Sequence, residues 1–283
     1  MMRKEIFWFD GAWTDVPPRL VGPADHAFWQ GSVVFDGARA IEGLAPDLSR
    51  HCARVVNSAR AMALAPAMTP EEIEALAIEG IRRMGKDAVL YVKPMFYGAG
   101  GHLTATSTTT SFVLHLFEAP LPPAGGFSAT LSPHRRPAPE MAPTDAKAAC
   151  LYPNSDRATR EAVARGFDAA VMRDPWDNIA EFAFANVMIA KGGKVVTPAA
   201  NNTFLAGITR RRVLGLLNDA GIEAVEGALT ADDLHSADEI FSCGNYGKLV
   251  VCNRFEGRSL NAGPIFQEAR RLYWKWAETT RIV

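Results

Sequence analysis

The sequence predicts a two-domain protein of mixed α/β (α+β) class, and three observations support this prediction. Strand-like and helix-like patterns alternate along the first 118 residues and again after residue 128. Between them, residues 118–126 are rich in proline and glycine, which is typical of a linker. The length of 283 residues allows two hydrophobic cores. We expect a small α+β domain over residues 1–118, a linker over 119–127 and a larger domain over 128–283.

The composition argues against several classes of function. The formal net charge is −1 and no long block carries one sign, so we expect neither a nucleic-acid surface nor a disordered tail. No apolar run is long enough for a membrane span, and we expect no signal peptide at the N-terminus. The cysteines Cys52, Cys150, Cys243 and Cys252 lack zinc-ligand spacing. We therefore expect no metal site, reduced thiols and a cytoplasmic protein.

In the first domain the pattern predicts two helices and a set of strands. Thr69, Pro70 and Glu72 form a capping box with proline at the first helical position, so a helix should run to about Met84. Apolar residues at helical spacing predict an earlier helix over 47–64. The predicted strands are 6–9, 12–13, 33–35, 38–41, 88–97 and 110–117.

In the second domain, helices and strands alternate again. Asn154 or Ser155 is predicted to cap a helix that ends near Arg165. Residues 179–190 are largely apolar and are predicted to form one long strand, which turns back at the glycines of 191–194. Further strands are expected at 128–131, 168–173, 195–197, 222–225, 239–242 and 249–252, and a closing helix at 265–277.

Lys147 is the candidate catalytic residue because it lies among small and apolar residues. Such surroundings disfavour the ammonium form of a lysine and favour the neutral amine, which attacks carbonyls and forms Schiff bases. Tyr152 follows five positions later. Taken alone, such a lysine is more often a loop residue whose charged end reaches solvent.

Two segments would suit an anionic ligand. Gly207, Ile208 and Thr209 open a predicted helix, whose amides and dipole favour an anion, and Thr209 adds a hydroxyl. The glycine-bounded loop of 244–247 offers Asn245 and further amides. Each segment alone also fits an ordinary helix start or turn.

Two charged residues complete the candidate site. Glu181 lies in an apolar stretch and needs a partner there, which is either a protonated ring nitrogen of a ligand or a buried arginine. Arg54 lies on the first predicted helix, where a plain surface role is the simpler interpretation.

Seven spaced motifs follow one another along nearly the whole chain. They are V-F-D-G-A-R at 34–39, H-C-A-R at 51–54, Y-V-K-P at 91–94, the lysine and tyrosine of 147–152, the glutamate and asparagine of 181–186, L-A-G-I-T-R at 205–210 and A-D-E-I-F-S-C-G at 237–244. In this order they resemble V-F-E-G-I-R, H-x-x-R, Y-I-R-P, K-x-x-x-N-Y, E-G-x-G-E-N, L-P-G-I-T-R and A-D-E-V-F-x-x-G of the class IV (fold type IV) pyridoxal-phosphate (PLP) aminotransferases. The branched-chain amino acid aminotransferases are the most similar group.

The resemblance implies a small α+β domain and a larger pseudo-barrel α/β domain with PLP between them. It also implies an amino donor and a 2-oxo acid as substrates, and a homodimer. Lys147 would be the Schiff-base lysine and move the substrate proton, Glu181 would pair with the pyridinium nitrogen, and Tyr152 would contact the ring's 3-oxygen. Further implied cofactor contacts are Arg54, Leu205, Gly207, Ile208, Thr209 and Asn245, and implied substrate contacts are Phe35, Arg39, Tyr91, Lys93 and Tyr246.

The sequence departs from the family pattern in the region of the implied substrate pocket. Lys93 replaces the arginine of Y-I-R-P, and Gln30 stands where branched-chain enzymes have a tyrosine. Phe182 and Phe184 replace glycines, and Tyr246 replaces an alanine. The fold also carries D-amino acid transaminases, (R)-amine transaminases and aminodeoxychorismate lyase, so these activities stay open as alternatives. A non-catalytic protein that binds PLP or phosphate is a further alternative.

Overall fold

The structure is a computed structural model that describes residues 4–123 and 125–283, and it divides into two compact units. The first comprises Met1–Leu121, Asp145–Leu151 and Ala277–Val283, and the second comprises Pro122–Thr144 and Tyr152–Trp276. The first change of unit lies inside the predicted linker, 119–127. Two short segments of the predicted larger domain group with the first unit, and one of them contains Lys147.

The first unit contains one antiparallel sheet. Its strands are β1 (Glu5–Phe9), β2 (Ala12–Thr14), β3 (Val33–Phe35), β4 (Ala38–Ile41), β5 (Val89–Gly98) and β6 (Thr110–Glu118). Its helices are α1 (His26–Trp29), α2 (Leu48–Ala61) and α3 (Pro70–Met84). The strand order is β2-β1-β6-β5-β3, and β4 also pairs with β5.

The two faces of this sheet have different roles because side chains alternate along each strand. Leu90 and Val92 of β5, with Leu114 and Leu116 of β6, are buried in a core that includes residues of α2 and α3. The alternate residues of the same strands project from the other face, which carries charged and aromatic side chains. We call this second face the polar face; it includes Tyr91, Lys93, His115 and Phe117.

The second unit is built on a mixed nine-stranded sheet. Its strands are β7 (Phe127–Arg135), β8 (Ala169–Arg173), β9 (Ile179–Phe182), β10 (Asn186–Lys191), β11 (Lys194–Pro198), β12 (Ala224–Gly227), β13 (Glu239–Gly244), β14 (Lys248–Phe255) and β15 (Arg258–Ser259). Its helices are α4 (Tyr152–Ala164), α5 (Ile208–Asp219), α6 (Ala231–Ser236) and α7 (Pro264–Ala277). The strand order is β12-β11-β10-β13-β14-β7-β8-β9, with β15 on β14.

This sheet is curled. Strands β9 and β10 are five positions apart in the sheet order, which would separate them by roughly 24 Å in a flat sheet. Only residues 183–185 connect them, and so short a link spans at most about 14 Å. The sheet must therefore bend until β9 returns towards β10. The predicted mixed α+β class, with a barrel-like second part, is confirmed.

Most predicted helices and strands are confirmed, and the most accurate predictions rest on local sequence motifs. The capping box is present: Thr69 Oγ1 accepts from the Glu72 amide over 3.2 Å, and Glu72 Oε2 accepts from the Thr69 amide over 2.7 Å. Two predictions are wrong. Residues 179–190 form β9 and β10 with a turn between them, not one strand, and α4 already begins at Tyr152. Asn154 does not cap it, since its side chain donates to the carbonyl of Arg135.

A bilayer-spanning helix is absent from the described part of the chain. Within those same residues, no group of three or more His, Cys, Asp or Glu side chains is arranged to hold a metal ion.

Candidate active site

Lys147 is anchored by its backbone to two elements of the first unit. Its carbonyl accepts a hydrogen bond from the amide of Phe35 in β3 (3.1 Å), and its amide donates to Ser58 Oγ in α2 (3.0 Å). Ala146 and Ala148, on either side, are buried. Lys147 Nζ lies 5.0 Å from the centre of the Phe35 ring. The amine is therefore presented from a fixed backbone against an apolar surface.

The predicted substrate residues of the first unit share the polar face. Phe35 is directly opposite Met95, and Arg39 is directly opposite Tyr91, while Lys93 lies between these two positions on β5. Residues opposite each other in a sheet point to the same side. The structure thus brings all four predicted residues onto the face where Lys147 Nζ meets Phe35.

Arg39 and Tyr91 are held in different ways. Arg39 is fully buried, and its Nη2 donates to the carbonyl of Ala119. The Tyr91 ring stacks on Phe117, with centroids 5.3 Å apart. Its hydroxyl lies only 1.9 Å from where a Cβ on Gly37 would stand, so the glycine makes room for the tyrosine. Substrate contact stays a prediction for both, and Arg39 also has a structural bond.

A histidine and a glutamate that the sequence analysis did not single out lie beside Lys93. Lys93 is directly opposite His115 across β5 and β6, and His115 Nε2 lies 2.8 Å from Glu5 Oε2. Lys93 Nζ lies 5.6 Å from the centre of the Phe117 ring. This corner of the polar face therefore combines a lysine, a titratable imidazole and a carboxylate.

Arg54 of α2 is held by a fully buried carboxylate. Its Nε and Nη2 donate to the two oxygens of Asp36 over 2.5 and 2.9 Å, and His51 Nδ1 lies 2.7 Å from Asp36 Oδ1. Burial alone would raise the pKa of Asp36, but the charge of Arg54 and the contacts of both partners outweigh it and hold this pKa well below its ordinary value. Asp36 is therefore ionised, and the sequence analysis gave it no role.

Glu181 is buried near the end of β9. Arg136 Nε lies 3.4 Å from its Oε1, and Asn186 Nδ2 donates to its Oε2 over 3.3 Å. Arg136 is buried too and donates to the carbonyl of Thr203 (3.2 Å). A buried arginine was one of the two partners predicted for Glu181, and the structure identifies it as Arg136. Pairing with a ring nitrogen stays a prediction.

Asn186 joins three parts of the second unit. Besides its bond to the β9 carboxylate, its Nδ2 donates to the carbonyl of Leu205 over 3.0 Å. Its Oδ1 lies 1.9 Å from where a Cβ on Gly207 would stand. Its backbone is paired with Cys243, the residue before the loop of 244–247. The side chain of Asn186 therefore links the β9 carboxylate to the start of α5, and its backbone pairs beside this loop.

The start of α5 has the features of an anion site. Gly207 is the N-cap, and as a glycine it has no side chain that could cap the first amides. The first amides of a helix have no partner within the helix, and together with the dipole they attract anions. Ile208 and Thr209 occupy the first turn. The predicted helix start is confirmed, and its ligand stays a prediction.

Asn245 is the first residue after β13 and lies in the loop of 244–247. Its Oδ1 accepts from Lys248 Nζ over 2.7 Å. Its Nδ2 is buried and has no hydrogen-bond partner within residues 4–123 and 125–283. Because buried amide donors are nearly always satisfied, this position suits an acceptor from a water or a ligand, and the predicted cofactor contact stays a prediction. Lys248, which orients Asn245 and is itself buried, was not predicted.

The second unit has three aromatic residues in the candidate motifs, namely Tyr152, Phe184 and Tyr246. Tyr152 is the first residue of α4 and stacks on Phe184, with centroids 5.9 Å apart. Phe184 belongs to the turn between β9 and β10, and Tyr246 belongs to the loop of 244–247. Both are largely exposed.

The profile of the family described as amino-transferase class IV matches residues 33–254. The chain is a class IV aminotransferase. An aminotransferase from Brucella abortus, whose crystal structure contains PLP, is 44% identical with a TM-score of 0.95, covering 97% of this chain and 99% of its own. The branched-chain-amino-acid aminotransferase of Pseudomonas aeruginosa is 29% identical over 96% of this chain and 92% of its length. The branched-chain aminotransferase of Thermoproteus uzoniensis, solved with norvaline, is 29% identical with a TM-score of 0.90. This match covers 97% of this chain and 95% of that enzyme's chain.

Membership of this aminotransferase family makes the protein a PLP-dependent transaminase, acting on an amino acid and a 2-oxo acid. The residues present fit the cofactor. In the first unit, the amine of Lys147 beside the Phe35 ring suits its aldehyde. In the second unit, the buried Asn245 donor and the first amides of α5 suit a phosphate group. The buried carboxylate of Glu181 suits a protonated ring nitrogen.

Proposed function

We propose that Lys147 is the catalytic residue of this transaminase. The observation that carries the proposal is the way in which the lysine is held, with two backbone hydrogen bonds and with its amine against the Phe35 ring. A fixed backbone returns the amine to the same place after every turnover.

When bound, PLP supplies an electron sink for the pair released from the substrate's Cα–H bond. Lys147 Nζ would take the proton from the substrate α-carbon and deliver it to C4′ of the cofactor. In the overall exchange the donor would leave as a 2-oxo acid whose oxo oxygen comes from water, and its amino group would pass to the acceptor, which releases water. The same proton path, run in reverse, serves the 2-oxo acid acceptor, which leaves as an amino acid.

Glu181 is proposed to keep the ring nitrogen protonated, which maintains the electron sink. Its support is the buried position of the carboxylate between Arg136 and Asn186. Tyr152 is proposed to hydrogen-bond the ring's 3-oxygen. The remaining proposed cofactor contacts are Arg54, Leu205, Gly207, Ile208, Thr209 and Asn245.

The proposed amino donor belongs to the branched-chain class or is related to it, because curated relatives across the whole length carry that name. The proposed contacts for substrate are Phe35, Arg39, Tyr91, Lys93 and Tyr246. We propose that Lys93 meets an acidic group, either on an amino donor or on an acceptor such as 2-oxoglutarate. The aromatic rings around it suit an apolar side chain. Lysine is a point charge on a flexible stem, so this contact would be less strict than the fork of an arginine.

We also propose a cytoplasmic homodimer. Its support is the family resemblance together with exposed apolar side chains on the first unit, where Phe28 is 65% and Leu103 is 77% exposed. All four cysteines are free, as expected in a reducing compartment. Light scattering after gel filtration tests the dimer.

Borohydride reduction followed by peptide mapping tests the central proposal. The pyridoxyl group should be found on Lys147, and K147A should bind PLP without the visible absorption of the lysine-bound form. K147A should also lose transfer activity by about 10⁴-fold or more, as expected when a general base and a covalent link are removed together. A pyridoxyl group on Lys93, the rival lysine, would refute it. A donor screen with 2-oxoglutarate and pyruvate then separates a transaminase from a lyase, which needs no acceptor.

A further inference from the structure

Asp36 is a buried carboxylate that the proposed reaction does not use directly. It lies between β3 and β4, and its backbone amide donates to the carbonyl of Pro94 (3.0 Å). Its Oδ1 is 2.9 Å from Arg54 Nη2, 2.7 Å from His51 Nδ1 and 2.7 Å from the Gly37 amide. Its Oδ2 accepts from Arg54 Nε over 2.5 Å. Both oxygens are therefore committed, on a side chain with no exposed surface.

Such a pair has a cost that stability alone does not explain. Taking a carboxylate out of water is unfavourable, and buried ion pairs are often no more stabilising than apolar residues of the same size. Arg54 does not require Asp36 for solvation, because 17% of its side chain reaches solvent. What the pair provides is a single orientation of the guanidinium group.

The geometry of the pair determines that orientation. A guanidinium group is planar, and donation from Nε and Nη2 to two oxygens of one carboxylate fixes both its position and its plane. Asp36 is in turn fixed by the Gly37 amide and by His51 of the same helix as Arg54. The outer edge of the guanidinium therefore points in one direction before any anion arrives.

We propose that Asp36 is the positioning residue for the phosphate group of the cofactor, acting through Arg54. This inference rests on the proposed function, in which Arg54 contacts that phosphate. Asp36 itself touches neither cofactor nor substrate. Its effect is on affinity for the phosphate group, because a preoriented arginine loses less freedom when the anion binds.

The test compares PLP with pyridoxal, which has the same ring and aldehyde but no phosphate. Both are titrated into cofactor-free enzyme by visible absorbance, in the wild type and in D36N. We expect D36N to raise the Kd for PLP by about 10- to 100-fold, as for a lost charged hydrogen bond. The Kd for pyridoxal should change by less than about threefold, within the context-dependence of such contacts.

Two variants serve as controls. D36E keeps the charge and can still accept both Arg54 hydrogen bonds, so it should restore the preference for PLP over pyridoxal. D47N removes a carboxylate from the start of the same helix, where Asp47 lies 3.6 Å from Arg50, and should leave the preference unchanged. If D36N does not fold, R54K replaces it, since it keeps the charge and removes the planar fork; it should show the same selective loss of PLP.

The inference is overturned if D36N binds PLP as tightly as the wild type, or if PLP and pyridoxal lose affinity equally. Should R54K be needed, unchanged PLP affinity in that variant overturns it as well. The wild-type enzyme alone tests the proposed contact between Arg54 and the phosphate. If the wild type itself does not prefer PLP to pyridoxal, the phosphate contact is absent, and the positioning role falls with it.

Discussion

Each of the two units buries a carboxylate beside an arginine, and the two pairs are built differently. In the first unit, Asp36 holds Arg54 over 2.5 and 2.9 Å and has His51 at 2.7 Å. In the second unit, Glu181 lies 3.4 Å from Arg136 and 3.3 Å from Asn186. The first carboxylate is bound tightly on both oxygens, and the second is oriented by longer contacts.

The proposed function gives the two pairs opposite roles. In the first pair the proposed cofactor contact is the arginine, Arg54, and Asp36 supports it. In the second pair the proposed cofactor contact is the carboxylate, Glu181, and Arg136, which also donates to the carbonyl of Thr203, supports it. Similar residue types thus take opposite parts in the two units.

Among variants of the two buried pairs, the largest expected effect comes from Glu181→Gln, which keeps the shape of the side chain and removes its charge. Turnover at saturating PLP should fall by about 10²- to 10³-fold, because an electrostatic contribution to the transition state is lost. The Kd for PLP should change much less. Stopped-flow half-reactions and a PLP titration measure the two quantities separately. Normal turnover once the variant is saturated with PLP would make Glu181 an anchor like Asp36 and break the comparison.

Acidification should affect the tight pair through stability. Because the pKa of Asp36 is lowered in the folded protein, its stabilising contribution is fully present above the ordinary value of 3.8 and is lost as the pH falls below it. At pH 7, D36N should lower the free energy of unfolding by about 3 kcal/mol, as when a buried pair is broken. Urea unfolding of the cofactor-free enzyme at pH 7 and at lower pH checks this. A gap between wild type and D36N that grows on acidification would have the wrong sign.

The residues of this comparison show how far the sequence could lead. The capping box of α3 was predictable because its contacts span three residues. The turn between β9 and β10 was not, because residues 183–185 read A-F-A and carry no turn signal. Glu181 therefore looked like a residue in the middle of a long strand.

The supporting partners were hidden for a different reason. Arg136 precedes Glu181 by 45 residues, and Asp36 precedes Arg54 by 18, so no local pattern connects them. The candidate site residues were named from motifs and a resemblance, whereas their supports depend on tertiary packing. Asp36 stands inside the quoted 34–39 motif, but nothing in the sequence says that its side chain turns towards α2.

A smaller effect is expected from Gly207→Ala, which tests the support of Glu181 from another side. The added Cβ would stand 1.9 Å from Asn186 Oδ1, so Asn186 must move away from Leu205 and Glu181. We expect a loss of about 2 kcal/mol in the free energy of unfolding, as for overpacking, and reduced turnover. Gly215→Ala in α5 is the matched control, because a Cβ there meets nothing within 4 Å. Equal behaviour of the two variants would show that Asn186 does not orient the carboxylate.

The smallest effect is expected from Lys93→Met, which asks whether the first unit also presents a charge to the substrate. Lys93 differs from Arg54 in that the residue directly opposite, His115, pairs with Glu5. The variant should raise KM for an acidic donor or for 2-oxoglutarate by about fivefold, the value of one partly exposed charge contact, and leave KM for a neutral donor unchanged. Steady-state kinetics on both substrates, with kcat as the internal control, measure this. If Lys93→Met raises KM for both substrates equally, Lys93 does not recognise the acidic group. Its role would then be structural, as proposed for Asp36.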